Sequence, residues 1–99
     1  MANKKINFSD VEHHEIARYI DLLRKAQYYE YKINTIKPLA IQYPDFRVSV
    51  FNAAIELSAY VDAIRKDVPE KIIDKLRFGS SLNYLDSLAA NTIKEFGNK

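Results

Sequence analysis

Cysteine and tryptophan are absent from this 99-residue chain, and glycine (two) and proline (three) are scarce. Without cysteine there is no disulfide scaffold, no thiolate nucleophile and no Cys-ligated zinc or iron–sulfur site. Gly79 and Gly97 alone cannot spell G-x-G-x-x-G or G-x-x-x-x-G-K, so the Gly-rich phosphate loops are excluded. Charge of one sign is missing as well. Residues 1–49 hold eight basic and six acidic side chains, and residues 50–99 hold seven of each. A net charge of +2 lacks the clustered bases of a strong non-specific nucleic-acid binder, whose domain pI exceeds about 9. No apolar run approaches the roughly 20 residues of a membrane span. The basic start Met1-Ala2-Asn3-Lys4-Lys5 has no apolar stretch behind it and does not read as a secretory signal. The expected location is therefore cytoplasmic. The bias toward Lys over Arg, and toward Ile, Asn and Tyr, fits an AT-rich genome such as that of a low-GC bacterium or its phage.

What the chain does have is hydrophobic content, 47%, enough for a core in one domain of residues 1–99. Residues 1–8 read as a flexible polar lead. Ser9-Asp10-Val11-Glu12 has the spacing of a capping box, Ser and Glu each reaching the other's backbone amide. A first helix is expected from about Asp10 to Ile36, with Ile16, Tyr19, Ile20, Leu22, Leu23, Ala26, Tyr29, Ile33 and Ile36 on one broad face. Pro38 disfavours helical backbone at Lys37, so this helix should end there, with Pro38 to Tyr43 as a connector. Asp45 is the expected N-cap of a second helix running to about Lys66. Asp67 and Glu70 flank Pro69 in a further cap-like start, opening a short third helix closed by Gly79. Ser80 or Ser81 caps a fourth helix whose apolar face is Leu82, Leu85, Leu88, Ala89, Ile93 and Phe96, stopped by Gly97. The expected fold class is all-α: a small bundle of about four helices, two long and two shorter, which dimerisation could complete.

The second helix differs from the first. One stripe is Phe46, Val50, Ala53, Leu57, Val61 and Ile64; a second is Val48, Phe51, Ile55 and Ala59. Apolar residues on two faces mark a helix buried on two sides, by the core alone or by core and partner.

Residues with reactive chemistry are few and dispersed. His13 and His14 are adjacent, so on a helix they point about 100° apart. Asp10 with His14 supplies two ligands, and no third completes a metal site. The carboxylate pairs Glu12/Glu15, Asp62/Asp67 and Glu70/Asp74 have no neighbouring His, Cys or Lys that sequence singles out as an acid–base partner. No catalytic residue, metal or cofactor is expected, and the chain does not read as an enzyme. Arg77, Ser80 and Ser81 around Gly79 form a candidate anion site at a helix start; a C-terminal glycine followed by a serine cap explains the same spacing.

Two surface patterns remain. On the first helix His14, Arg18, Asp21, Lys25, Tyr28 and Lys32 recur at steps of four and three and form one ridge opposite the apolar face. His14, Arg18, Lys25, Tyr28 and Lys32 could grip a phosphate backbone or an acidic partner; the ridge is also explained as a solvated face with internal ion pairs. Separately, Tyr28, Tyr29 and Tyr31 span too much of the helix to share one core. Tyr28 and Tyr31, with Val48, Phe51, Ile55 and Ala59, are the candidate protein interface, because tyrosine offers apolar area with a polar tip. The expectation is a small cytoplasmic protein of inhibitor, immunity or adaptor type, from a phage or mobile element of a low-GC bacterium, that acts through protein–protein contact, self-association included. The alternative is a nucleic-acid-binding accessory protein using the first-helix ridge.

Overall fold

The computed structural model describes residues 10–76 and 81–97. Four helices follow one another: α1 (Asp10–Gln42), α2 (Arg47–Asp67), α3 (Glu70–Lys75) and α4 (Leu82–Gly97), with a 3-10 turn at Pro44–Phe46 between the first two. It is an all-α bundle with two long and two shorter helices, and α2 lies at its centre. Three pairs of contacts show α1 and α2 running antiparallel: Arg18 with Asp67, Tyr29 with Tyr60, and Ala40 beside Val50. Arg65 meets Asp86 and Asn83 at the start of α4, while Arg47 lies over the Phe96 ring at its end. α4 is thus antiparallel to α2 and parallel to α1, and Lys37 and Glu95 join their neighbouring ends at 3.2 Å.

The first stripe of α2 supplies the middle of the core. Val50, Ala53, Leu57, Val61 and Ile64 are all buried, as is Ala54. All but Val50 pack with Tyr19, Leu23, Ala26 and Ile33 of α1 and Leu85 and Ala89 of α4. Alanines on three helices let the backbones approach closely. A smaller cluster of Ala40, Val50 and Phe96, flanked by Ile36 and Phe51, closes the end nearest the 3-10 turn. Leu82, Leu88 and Ile93 are half-buried against the main cluster, so the expected face of α4 does line the core.

Several boundaries differ from the sequence expectation. Pro38 does not end the first helix, which runs through it to Gln42. The ring removes one amide, and the carbonyl it orphans belongs to exposed Asn34, where water can serve it. Burial of Ala40 beyond the proline favours continuation. Asp45 is not the N-cap of α2; it sits inside the 3-10 turn, and Phe46 holds the cap position with no side-chain hydrogen bond. Asp67 ends α2 instead of capping α3, whose cap position is Pro69. Its carboxylate instead accepts two hydrogen bonds from the Arg18 guanidinium, at 2.7 and 3.2 Å. Ser81 does cap α4, its hydroxyl accepting from the Tyr84 amide at 3.1 Å. Gly97 is more than a stop: a β-carbon there would lie 2.7 Å from Phe51 Cε1, so its small size seats the Phe51 ring against the end of α4. The polar lead at residues 1–8, the Ser9 half of the capping box, and Gly79 lie outside the described residues.

The bundle is long and thin. Its Cα extents are 55 × 24 × 17 Å and its radius of gyration is 16.1 Å, against about 13 Å for a compact domain of 100 residues. A rod has more surface per residue than a sphere, so a chain of this hydrophobic content leaves apolar side chains uncovered.

One polar atom is misplaced within the core. Thr92 is fully buried and its hydroxyl has no hydrogen-bond partner. An unpaired buried hydroxyl costs about 1–3 kcal/mol, whereas valine fills the same shape without it. Thr92→Val should therefore raise the unfolding free energy by about 1 kcal/mol and Tm by roughly 4–8 °C. A fall in Tm on thermal denaturation would show that the hydroxyl is satisfied in solution.

Candidate functional site

Exposed apolar side chains are not spread evenly. Among the described residues ten large ones stand in solvent, and five of them, Leu39, Ile41, Tyr43, Phe46 and Val48, come from one ten-residue stretch at the α1–α2 turn. Ile41 is 70% exposed and Val48 66%. Because α1 continues past Pro38, Ala40 takes the inward position and its neighbours Leu39 and Ile41 point outward. Tyr43 and Phe46 then meet edge to face, ring centroids 6.3 Å apart, across the 3-10 turn. The end of the rod thus gathers exposed aliphatic and aromatic side chains in one place, the kind of apolar surface that marks an interaction site. Asp45 and Arg47 are the charged residues within it.

The second stripe of α2 leads away from this end. Val48, Asn52, Ile55, Ala59, Asp62 and Lys66 are all exposed and recur at steps of four and three. The flanks of α2 are occupied: Arg47, Phe51 and Arg65 reach α4, and Tyr60 and Asp67 reach α1. The row from Val48 to Lys66 lies between those flanks on the side away from the core, and no other described element of the chain covers it. Of the six interface candidates, Val48, Ile55 and Ala59 stand together on this free row. Phe51 is half-buried in the small cluster.

The two tyrosines of that set lie elsewhere. Tyr28 packs edge to face on Tyr29 (5.0 Å), which stacks on Tyr60 (5.8 Å, 17° between planes) at the α1–α2 junction. Loss of water around its ring, then the Glu56 carboxylate, then Tyr60 and Tyr28, hold the Tyr29 pKa above its ordinary 10. Tyr31 is 67% exposed on another face of α1.

No family model, no curated protein and no solved structure matches this chain. The surfaces themselves carry what can be said of its role.

The first-helix ridge does not run opposite the core; it borders α2. Arg18 crosses to Asp67, and Lys32 lies 5.6 and 5.8 Å from the ring centres of Tyr28 and Tyr29. Lys25 pairs with Asp21 at 3.2 Å, and His14 is exposed. Of the anion-site candidates, Arg77 and Ser80 lie outside the described residues, and the Ser81 hydroxyl already accepts the Tyr84 amide. Among the described residues no three His, Asp or Glu come together to hold a metal ion, and no helix is long and apolar enough to cross a membrane. A shallow groove of about 300 Å³ on α1 is lined by Ile20, Leu23, Arg24 and Gln27, with no carboxylate, histidine or hydroxyl among them.

Sequence reading missed Leu39, Ile41 and Tyr43. Placed between Pro38 and Pro44, they read as a connector, and the available signal was their composition, since a connector with three large apolar residues in six positions is unusual. Phe46 was expected on the buried stripe of the second helix; it stands instead in the 3-10 turn before α2 and is 37% exposed.

Proposed function

We propose that this protein is a cytoplasmic, non-catalytic binding module of inhibitor, immunity or adaptor type, which meets a protein partner through the apolar end formed by Leu39, Ile41, Tyr43 and Phe46. The observation that carries this reading is the concentration of these four, out of ten exposed large apolar side chains among the described residues, within eight positions. Exposed aromatic and aliphatic side chains at the tip of a rod suit a partner with an apolar cleft, where such anchors contribute most of the binding free energy. The nucleic-acid alternative draws less support, because Arg18, Lys25 and Lys32 are each engaged within the chain.

A photo-cross-linking side chain placed at Ile41, with Asn91 on exposed α4 as control, tests the proposal in cells that make the protein. Irradiation should give a discrete protein adduct at position 41 and none at position 91. Equal labelling at both, or none at position 41, would count against the apolar end as the contact surface.

A further inference from the structure

The free row of α2 is complementary to itself in one direction only, and we propose that a second copy of this chain docks there, its α2 antiparallel to the first. The steps from Val48 through Asn52, Ile55, Ala59 and Asp62 to Lys66 are four, three, four, three and four. That spacing makes a straight seam for two helices crossing at about 20°. The row is symmetric about position 57, so a two-fold axis there sets each member against another member of the row. Ile55 meets the partner's Ala59, a large side chain against a small one, and the pair occurs twice. Asn52 meets the partner's Asp62, whose carboxylate can accept from the amide. Val48 meets the stem of the partner's Lys66, leaving the ammonium to reach toward Asp45 in the 3-10 turn.

Each of these groups is available. All six row residues and Asp45 are exposed, and Asn52, Asp62, Lys66 and Asp45 make no side-chain hydrogen bond or ion pair within the described chain. A parallel pairing would place Asp62 against Asp62 and Lys66 against Lys66, so charge selects the antiparallel form. The eighteen residue steps from Val48 to Lys66 span about 27 Å of helix. With its flanking residues such a seam covers on the order of 1,000 Å² in total, the lower limit for a specific interface, so the dimer is a weak, concentration-dependent one.

The dimer deepens the binding-module reading; it uses Val48 and Asp45 from the apolar end but leaves Leu39, Ile41, Tyr43 and Phe46 uncovered, so the two can fail separately. Light scattering on size-exclusion fractions, loaded from about 5 to about 500 µM, should show the mass rise from 11.5 kDa toward twice that value. Asn52→Asp sets two carboxylates against each other at two places and should weaken association at least about tenfold. Asn52→Asp combined with Asp62→Asn restores an amide opposite each carboxylate and should recover it. Both positions are exposed, and circular dichroism checks that each monomer remains helical. A protein that stays monomeric at the highest concentration overturns the proposal, as does a dimer indifferent to Asn52→Asp or one the double variant fails to recover. A monomer that still cross-links through position 41 removes the dimer and leaves the partner-binding reading standing. A dimer with no cross-link at position 41 does the reverse.

Discussion

Leu57→Ala should lower the unfolding free energy by about 2–5 kcal/mol, a large share of the roughly 5–10 kcal/mol that holds such a domain together. Leu57 is fully buried on the central helix, among Ala53, Val61 and Ile64, between α1 and α4. Truncation removes the transfer free energy of its methyl groups and leaves a cavity that helices fixed on both sides cannot close. Urea unfolding followed by circular dichroism should show a lower midpoint with an unchanged slope, and heating should show Tm lower by roughly 10–25 °C. The same truncation at Ile55, two positions away on the same helix, should change monomer stability by less than about 0.5 kcal/mol. A loss under about 1 kcal/mol at Leu57 would mean that α2 is not the centre of the bundle.

Pro38→Ala should act in the opposite direction, raising stability by about 1–3 kcal/mol. Proline inside a helix is about 3 kcal/mol less favourable than alanine because it removes an amide and crowds the preceding turn. Here it sits within α1, and alanine would let the amide of residue 38 donate to the exposed Asn34 carbonyl. Proline also restricts the unfolded chain, which offsets about 0.4–1 kcal/mol of the gain. The ring is exposed, so little packing is lost. Unchanged or reduced stability on urea unfolding would show that the helix needs the proline's geometry to aim Leu39 and Ile41 outward.

The two substitutions mark what was and was not legible beforehand. Leu57 could be placed in the core from the chain alone, because its stripe on α2 has the three- and four-residue period of one helix face and that face is continuous over five turns. Ser81 as the cap of α4 was equally legible, since a hydroxyl before an apolar period is a local signal with a local partner. Pro38 was misjudged for the complementary reason. The local preference it imposes on Lys37 is weaker than the packing of Ala40 and the ion pair of Lys37 with Glu95, both made with residues distant in sequence. Asp67 shows the same conflict: suited to cap α3, it instead accepts from Arg18, 49 positions earlier.

The candidate surface divides along the same line. Val48, Ile55 and Ala59 were visible as a second apolar stripe, but a stripe states only that a face is apolar. Whether α1, α4 or solvent covers it depends on where those helices land, and they land on the two flanks. Phe51 belonged to the same stripe and is half-buried, because Gly97 leaves room for its ring. The tyrosines near position 29 divided likewise once Tyr60 arrived beneath one of them. The scarcity of glycine, proline and cysteine determined by itself that the chain forms long, unbridged helices without nucleotide loops, because helix formation and its interruption are decided by near neighbours. Only the tertiary structure decided which apolar faces are left in solvent. That outcome depends on the shape of the whole: a thin rod of three main helices has too little interior for all the apolar residues of its sequence.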